Sequence, residues 1–128
     1  MMRFVPFVVL VLTCGGALAD PVEGLWQTEP DAGGFAHVDI APCGPSLCGK
    51  VRGTFHLDGS AYDTPLVGEY LVWDMVPEGG GQYRGKVFQP SSGETFSGKA
   101  RLTGERLKMS GCVLGGLICQ GQVWRRVK

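Results

Sequence analysis

Four of the five cysteines, both histidines and a run of glutamines beside a C-terminal tryptophan are the residues of this 128-residue chain that could do chemistry. Cys43 and Cys48 stand as C-x4-C, and Cys112 and Cys119 as C-x6-C, without nearby histidines. Structural zinc wants four ligands at tighter spacing, so these pairs suit metal poorly and disulfides well. His37 lies two residues before Asp39, but an acid–base or metal site needs a converging third group that the sequence does not offer. Ser91-Ser92-Gly93 has the composition of a turn rather than of an activated nucleophile. Glu69 and Asp74 could approach one another at a barrel mouth, yet nothing selects them. No glycine-rich phosphate loop leads from a strand into a helix. The expectation is a protein without catalytic residues, cofactor or metal.

The N-terminus sets the compartment. Arg3 precedes an apolar run over residues 4–12, and small residues lead to Ala17-Leu18-Ala19. A basic start, an apolar middle and an A-x-A end make a secretory leader over residues 1–19, with cleavage leaving Asp20 first. The run is about half the ~20 residues that a spanning helix needs, so no transmembrane segment is expected after cleavage. Cys14 would be a lipidation site only if a small residue stood where Thr13 does, and it is read as part of the leader. An exported, periplasmic or secreted chain folds where disulfides form, which agrees with the even cysteine count of residues 20–128.

Residues 20–128 suffice for one domain and not two. Glycine is spread along the whole length, and short alternating runs between turn signals replace helical periodicity. Thr95 to Leu102 shows it best, with Phe96, Gly98, Ala100 and Leu102 on one face and Thr95, Ser97, Lys99 and Arg101 on the other. The pattern predicts eight strands, near 22–28, 35–42, 47–55, 69–76, 82–89, 95–102, 105–113 and 117–127, with one longer connection at 58–68. Consecutive short antiparallel strands remove their edges by closing into an eight-stranded up-and-down barrel, an all-β fold.

Alternation also assigns faces. Ala36, Val38 and Ile40 turn inward with Leu47, Val51 and Phe55, leaving Cys43 and Cys48 together on the outside of one hairpin. Cys112 faces out, and pairing with it puts Cys119 out as well. The expected bridges are therefore Cys43–Cys48 and Cys112–Cys119. Gln120, Gln122, Trp124 and Arg126 then face inward. Buried amides cannot stay unpaired, so they either anchor a small ligand in a pocket completed by Trp73 and Tyr83, or satisfy one another in a packed core. In the packed alternative Arg126 stacks on a tryptophan and closes one barrel end.

Gly24-Leu25-Trp26 on the first strand with an arginine on the last resembles the lipocalin and wider calycin pattern, which implies that Trp26 and Arg126 close the barrel base. A longer ordered set spans nearly all of residues 20–128. It includes Glu23-Gly24-Leu25-Trp26, Pro42-Cys43 with Leu47-Cys48-Gly49, and Gly85-Lys86-Val87-Phe88-Gln89-Pro90 with Gly93-Glu94-Thr95-Phe96. Leu107 to Cys119 and Gln122-Val123-Trp124-Arg125-Arg126-Val127 complete it. This set resembles the bacterial domain of unknown function 2147 family, which implies an exported, lipocalin-like barrel and no established activity. Phe88-Gln89 stands where the family has Tyr-Asp, and Phe96 where it has Tyr.

Twelve basic and twelve acidic side chains balance, and no basic patch or acidic tail stands out along the chain. Nucleic acid and anionic membrane are therefore not expected as partners. The leading expectation is an exported binding barrel for a small, partly apolar molecule or lipid fragment. The alternative is a module that docks on envelope proteins through its two disulfide-braced hairpin tips. The apolar tip at 113–118 is either an exposed contact patch or a lid folded over the barrel end.

Overall fold

Period-two alternation puts eight long strands into the computed structural model, which describes residues 19–128. The expected leader, apart from its last residue Ala19, lies outside the described residues. The strands are β1 (Gly24–Gln27), β2 (Phe35–Cys43), β3 (Ser46–Phe55), β5 (Tyr70–Gly79), β6 (Gln82–Gln89), β7 (Glu94–Thr103), β8 (Arg106–Val113) and β9 (Ile118–Arg126). Each pairs antiparallel with the next, and β9 returns to β1 to close an eight-stranded barrel. A ninth, two-residue strand, β4 (Ala61–Tyr62), adds to β3 inside the longer connection, where alternation alone predicts no strand. Turns at 44–45, 80–81 and 104–105 share one end, the base, with the residues around Asp20 and Lys128. The other end, the mouth, carries the connections 28–34, 56–69, 90–93 and 114–117.

Inward side chains form one core. Trp26, Val38, Ile40, Val51, Val72 and Leu107 are fully buried, and Met75, Tyr83, Ala100, Met109 and Trp124 complete it. Both bridges form as register and proximity require, Cys43–Cys48 near the base and Cys112–Cys119 near the mouth. Their small loops contribute about 2 kcal/mol each by restricting the unfolded chain.

Two strand irregularities correct the expected faces. Between Val51 and Gly53, β3 carries one residue more than β2, so parity shifts and Thr54 rather than Phe55 turns inward. Phe55 lies outside instead, stacked on Phe35 at 5.3 Å between ring centroids and against His37 at 4.5 Å. In β5 the register shifts between Trp73 and Val76, where Asp74 takes a positive φ of 53°. Val72 pairs with inward Val87, and Trp73 pairs with exposed Lys86 on the outer face. Trp73 therefore does not line the interior with Tyr83.

The base is sealed by side chains. Arg126 lies over the Trp26 ring at 4.4 Å, and its Nη1 donates to the Glu23 carbonyl at 2.9 Å. Trp26 Nε1 donates to the carbonyl of fully buried Val22 at 2.8 Å. Gly24 makes this stack possible. A Cβ there would stand 2.7 Å from Arg126 Nη1 and 2.7 Å from the Lys128 carbonyl oxygen, and its φ of +138° suits glycine alone.

Candidate functional site

Of the five residues expected to line a pocket, Tyr83 and Trp124 lie in the core, at 4% exposure each. The Tyr83 hydroxyl donates to Asp20 Oδ1 beneath it. Burial above all, and then that carboxylate, push the phenol well above the usual tyrosine range. Tyr83 pairs across the sheet with Ala100, and Ala100 with Met109. A small pocket beside Val72, Met75, Tyr83, Ala100 and Met109, which also touches Val87 and the chain at 84–86 and 98–99, has about 10 Å³, room for one water at most. A row of glycines at this level, Gly85, Gly98 and Gly111 on adjacent strands, draws the walls together. A Cβ on Gly85 would meet the Trp73 carbonyl oxygen at 2.7 Å, and one on Gly98 would meet Val87 Cγ2 at 2.4 Å.

The glutamines face inward by register, Gln122 opposite Met109 and Gln120 opposite Gly111, yet both are exposed. The cause is β1, which pairs with β9 only at Trp26–Arg126 and Gln27–Arg125, so the upper part of β9 is paired with β8 on one side and with no strand on the other. Side chains hold that seam. Gln122 Oε1 accepts from the Glu29 backbone N–H and from Trp124 Nε1, both at 3.0 Å, while Glu29 Oε2 accepts from the Val123 N–H at 3.0 Å. Gln122 is thus a fastening between the chain after β1 and the last strand. Gln120 alone points into open mouth. The five residues do not converge on one cavity.

A larger concavity lies on the outside. Between the outer faces of β5, β6 and β7 and the 113–116 tip runs a groove of about 860 Å³. Asp74, Val76, Glu78, Arg84, Lys86 and Lys99 form its floor and sides, and Val113 and Leu114 its rim. Glu78 pairs with Arg84 at 3.3 Å, while Lys86 and Lys99 make no ion pair among the described residues. The tip is no lid over the barrel end. Leu114 is 68% and Leu117 86% exposed, and the short 3-10 turn at Leu114–Gly116 buries none of its residues. It leans over the outer face of β7 instead, where a Cβ on Gly116 would lie 3.5 Å from Lys99 Nζ.

Charge is also less even than the balanced total implies. The outer faces of β6 to β9 expose Arg84, Lys86, Lys99, Arg101, Arg106, Lys108 and Arg125, and only Arg84 of these pairs with an acid among the described residues. The expectation of no basic patch is corrected: strand pairing gathers cations that sequence order scatters.

Three of the side chains whose types suit catalysis are engaged otherwise. Asp39 binds the Arg52 guanidinium at 2.8 Å, and His37 meets Gln27 Oε1 at 3.1 Å under Phe55, where burial lowers its pKa. Ser92 donates to Gln89 Oε1 within its own turn. Among the described residues no cluster of three or more His, Cys, Asp or Glu could hold a metal, and no helix is long and apolar enough to cross a membrane.

A closed eight-stranded antiparallel barrel with a Trp–Arg stack at its base is a lipocalin-like fold. Among solved structures the chain is similar to protein HP1028 from the human pathogen Helicobacter pylori, described as belonging to the lipocalin family. The TM-score is 0.67 at 16% identity, covering 87% of this chain and 85% of that one, a likeness of fold. The family model described as "Uncharacterized protein conserved in bacteria (DUF2147)" matches residues 24–126, and the chain belongs to that family. No curated protein matches it.

Proposed function

We propose that this is an exported, non-catalytic binding barrel that holds a small amphiphile, partly apolar and carrying an anionic group, in the outer groove beside the Cys112–Cys119 tip. The observation that carries the reading is the contrast of volumes: about 10 Å³ at the level of Tyr83 against about 860 Å³ between Lys86, Lys99 and Val113–Gly116. Lys86 and Lys99 suit an anionic head, and Val76, Val113 and Leu114 an apolar tail, the mixture that small-molecule sites use. Export rests on the leader at residues 1–19 and agrees with the two bridges.

Native mass spectrometry of protein recovered without detergent from the producing cell tests this. The expected result is a chain beginning at Asp20 with a small molecule retained, and loss of that molecule in the Lys86→Glu/Lys99→Glu variant. A bare wild-type chain, or a retained mass indifferent to the two lysines, would contradict the groove. Exposure of Leu114, Leu117 and Ile118 favours a second reading, a protein-docking module, which the same spectrum would reveal as a retained polypeptide.

A further inference from the structure

We infer that the outer wall of β6 to β9, with the apolar 113–118 tip, is a docking surface for an anionic lipid bilayer. This goes beyond the groove: it shares Arg84, Lys99, Val113 and Leu114 with it and adds Arg101, Arg106, Lys108 and Arg125. Three cross-strand pairs in this wall set cation directly opposite cation: Arg84 with Lys99, Arg101 with Lys108, and Arg106 with Arg125. Like charges facing each other across an antiparallel pair destabilise a sheet, and among the described residues only the Arg84 pair has an acid, Glu78, in ion-pair contact. A polyanionic surface reverses the sign of that cost by neutralising both members of each pair. Most acidic side chains come earlier in the chain, although Asp74 and Glu78 line the groove beside Arg84 and Glu29 fastens to β9. Ten of the twelve acids precede Gly79, while nine of the twelve Lys and Arg residues come after it, opposed only by Glu94 and Glu105. The exposed cations of β6 to β9 thus outnumber the acids on those strands. An anionic plane attracts this wall most strongly, which favours one orientation.

The tip distinguishes a bilayer from other polyanions. From Cys112 to Cys119 there is no charged residue, and Val113, Leu114, Leu117 and Ile118 are all exposed on a turn braced by the disulfide. The tip leans toward Lys99, so apolar and cationic surfaces share one side of the molecule. Exposed leucines beside cations suit the boundary between headgroups and acyl chains. Single-stranded nucleic acid would be met by exposed aromatic platforms, and the outward positions of β7, β8 and β9 hold none.

Sedimentation of the purified protein with vesicles tests the surface. Binding is expected to vesicles of phosphatidylcholine mixed with phosphatidylglycerol, to weaken as salt rises, and to be absent on phosphatidylcholine alone. Lys108→Glu with Arg125→Glu lies off the groove and turns two repulsive pairs into attractive ones. This variant should melt no lower than the wild type yet bind vesicles at least about tenfold more weakly. Lys50→Glu with Arg52→Glu, the same charge change on β3, should bind as the wild type does. Leu114→Ser with Leu117→Ser should weaken binding at every salt concentration. Equal weakening by the β3 and β8/β9 reversals, or a tip variant that binds fully, overturns the proposal. So does binding to duplex DNA as tight as to vesicles, or salt-sensitive self-association in place of vesicle binding. A bare mass spectrum would sink the groove ligand and leave this result standing, because Lys108 and Arg125 do not line the groove.

Discussion

Gln122 spends both lone pairs of one oxygen on holding Trp124 and Glu29 in place. Removing it strands a tryptophan N–H in a side chain that is otherwise buried, so Gln122→Ala should cost about 1–2 kcal/mol in denaturant titrations. Gln120→Ala removes a side chain that points into open mouth and should change stability by no more than about 0.5 kcal/mol. Equal losses at both would contradict the division of roles. Tyr83 offers a test by pH. Its folded pKa is raised, so the neutral phenol stabilises the fold below the unfolded value of about 10, and that contribution is lost as pH climbs through the raised folded value. Wild type should therefore lose more stability between neutral and strongly alkaline pH than Tyr83→Phe does. At neutral pH the phenylalanine variant should itself be weaker by about 1–3 kcal/mol, having lost a bond to a carboxylate. Alternation tells which way Gln120, Gln122 and Trp124 face. It cannot tell that β1 stops at Gln27, which is what leaves two inward glutamines in solvent.

At the level of elements, all eight long strands are legible in the sequence, because each has a polar face and an apolar face and a turn of small residues at its end. The bulges are not. One extra residue in β3 and the left-handed Asp74 in β5 obey no pattern of types, and each inverts the facing of its neighbours, so Phe55 and Trp73 lie outside. The glycine row is visible only strand by strand, since Gly85, Gly98 and Gly111 become neighbours through pairing. Its members should differ in cost. A methyl on Gly85 meets backbone, which cannot step aside, whereas one on Gly98 meets the tip of Val87, which can rotate. Gly85→Ala should destabilise by about 2–3 kcal/mol and Gly98→Ala by less, by thermal melting of the two variants. The reverse order would mean that β5 does not cross β6 so closely.

For the whole molecule, balanced total charge conceals an uneven order along the chain. Acids before Gly79 and bases after it can be counted in the sequence, and only barrel closure makes the count spatial. The same closure decides where a ligand can be held. A barrel drawn tight by glycines and filled by Met75, Tyr83, Met109 and Trp124 leaves little room there, so the proposed site lies on the outer surface, where β6, β7 and the Cys112–Cys119 tip meet. The most direct measurement is an amide chemical-shift map of the protein titrated with dodecanoate, an anionic amphiphile of suitable size. Binding in the outer groove predicts shifts at Lys86, Ser97, Lys99, Gly115 and Gly116, with Tyr83, Ala100 and Met109 unmoved. Shifts confined to Tyr83, Ala100 and Met109 would place the ligand inside the barrel and contradict it.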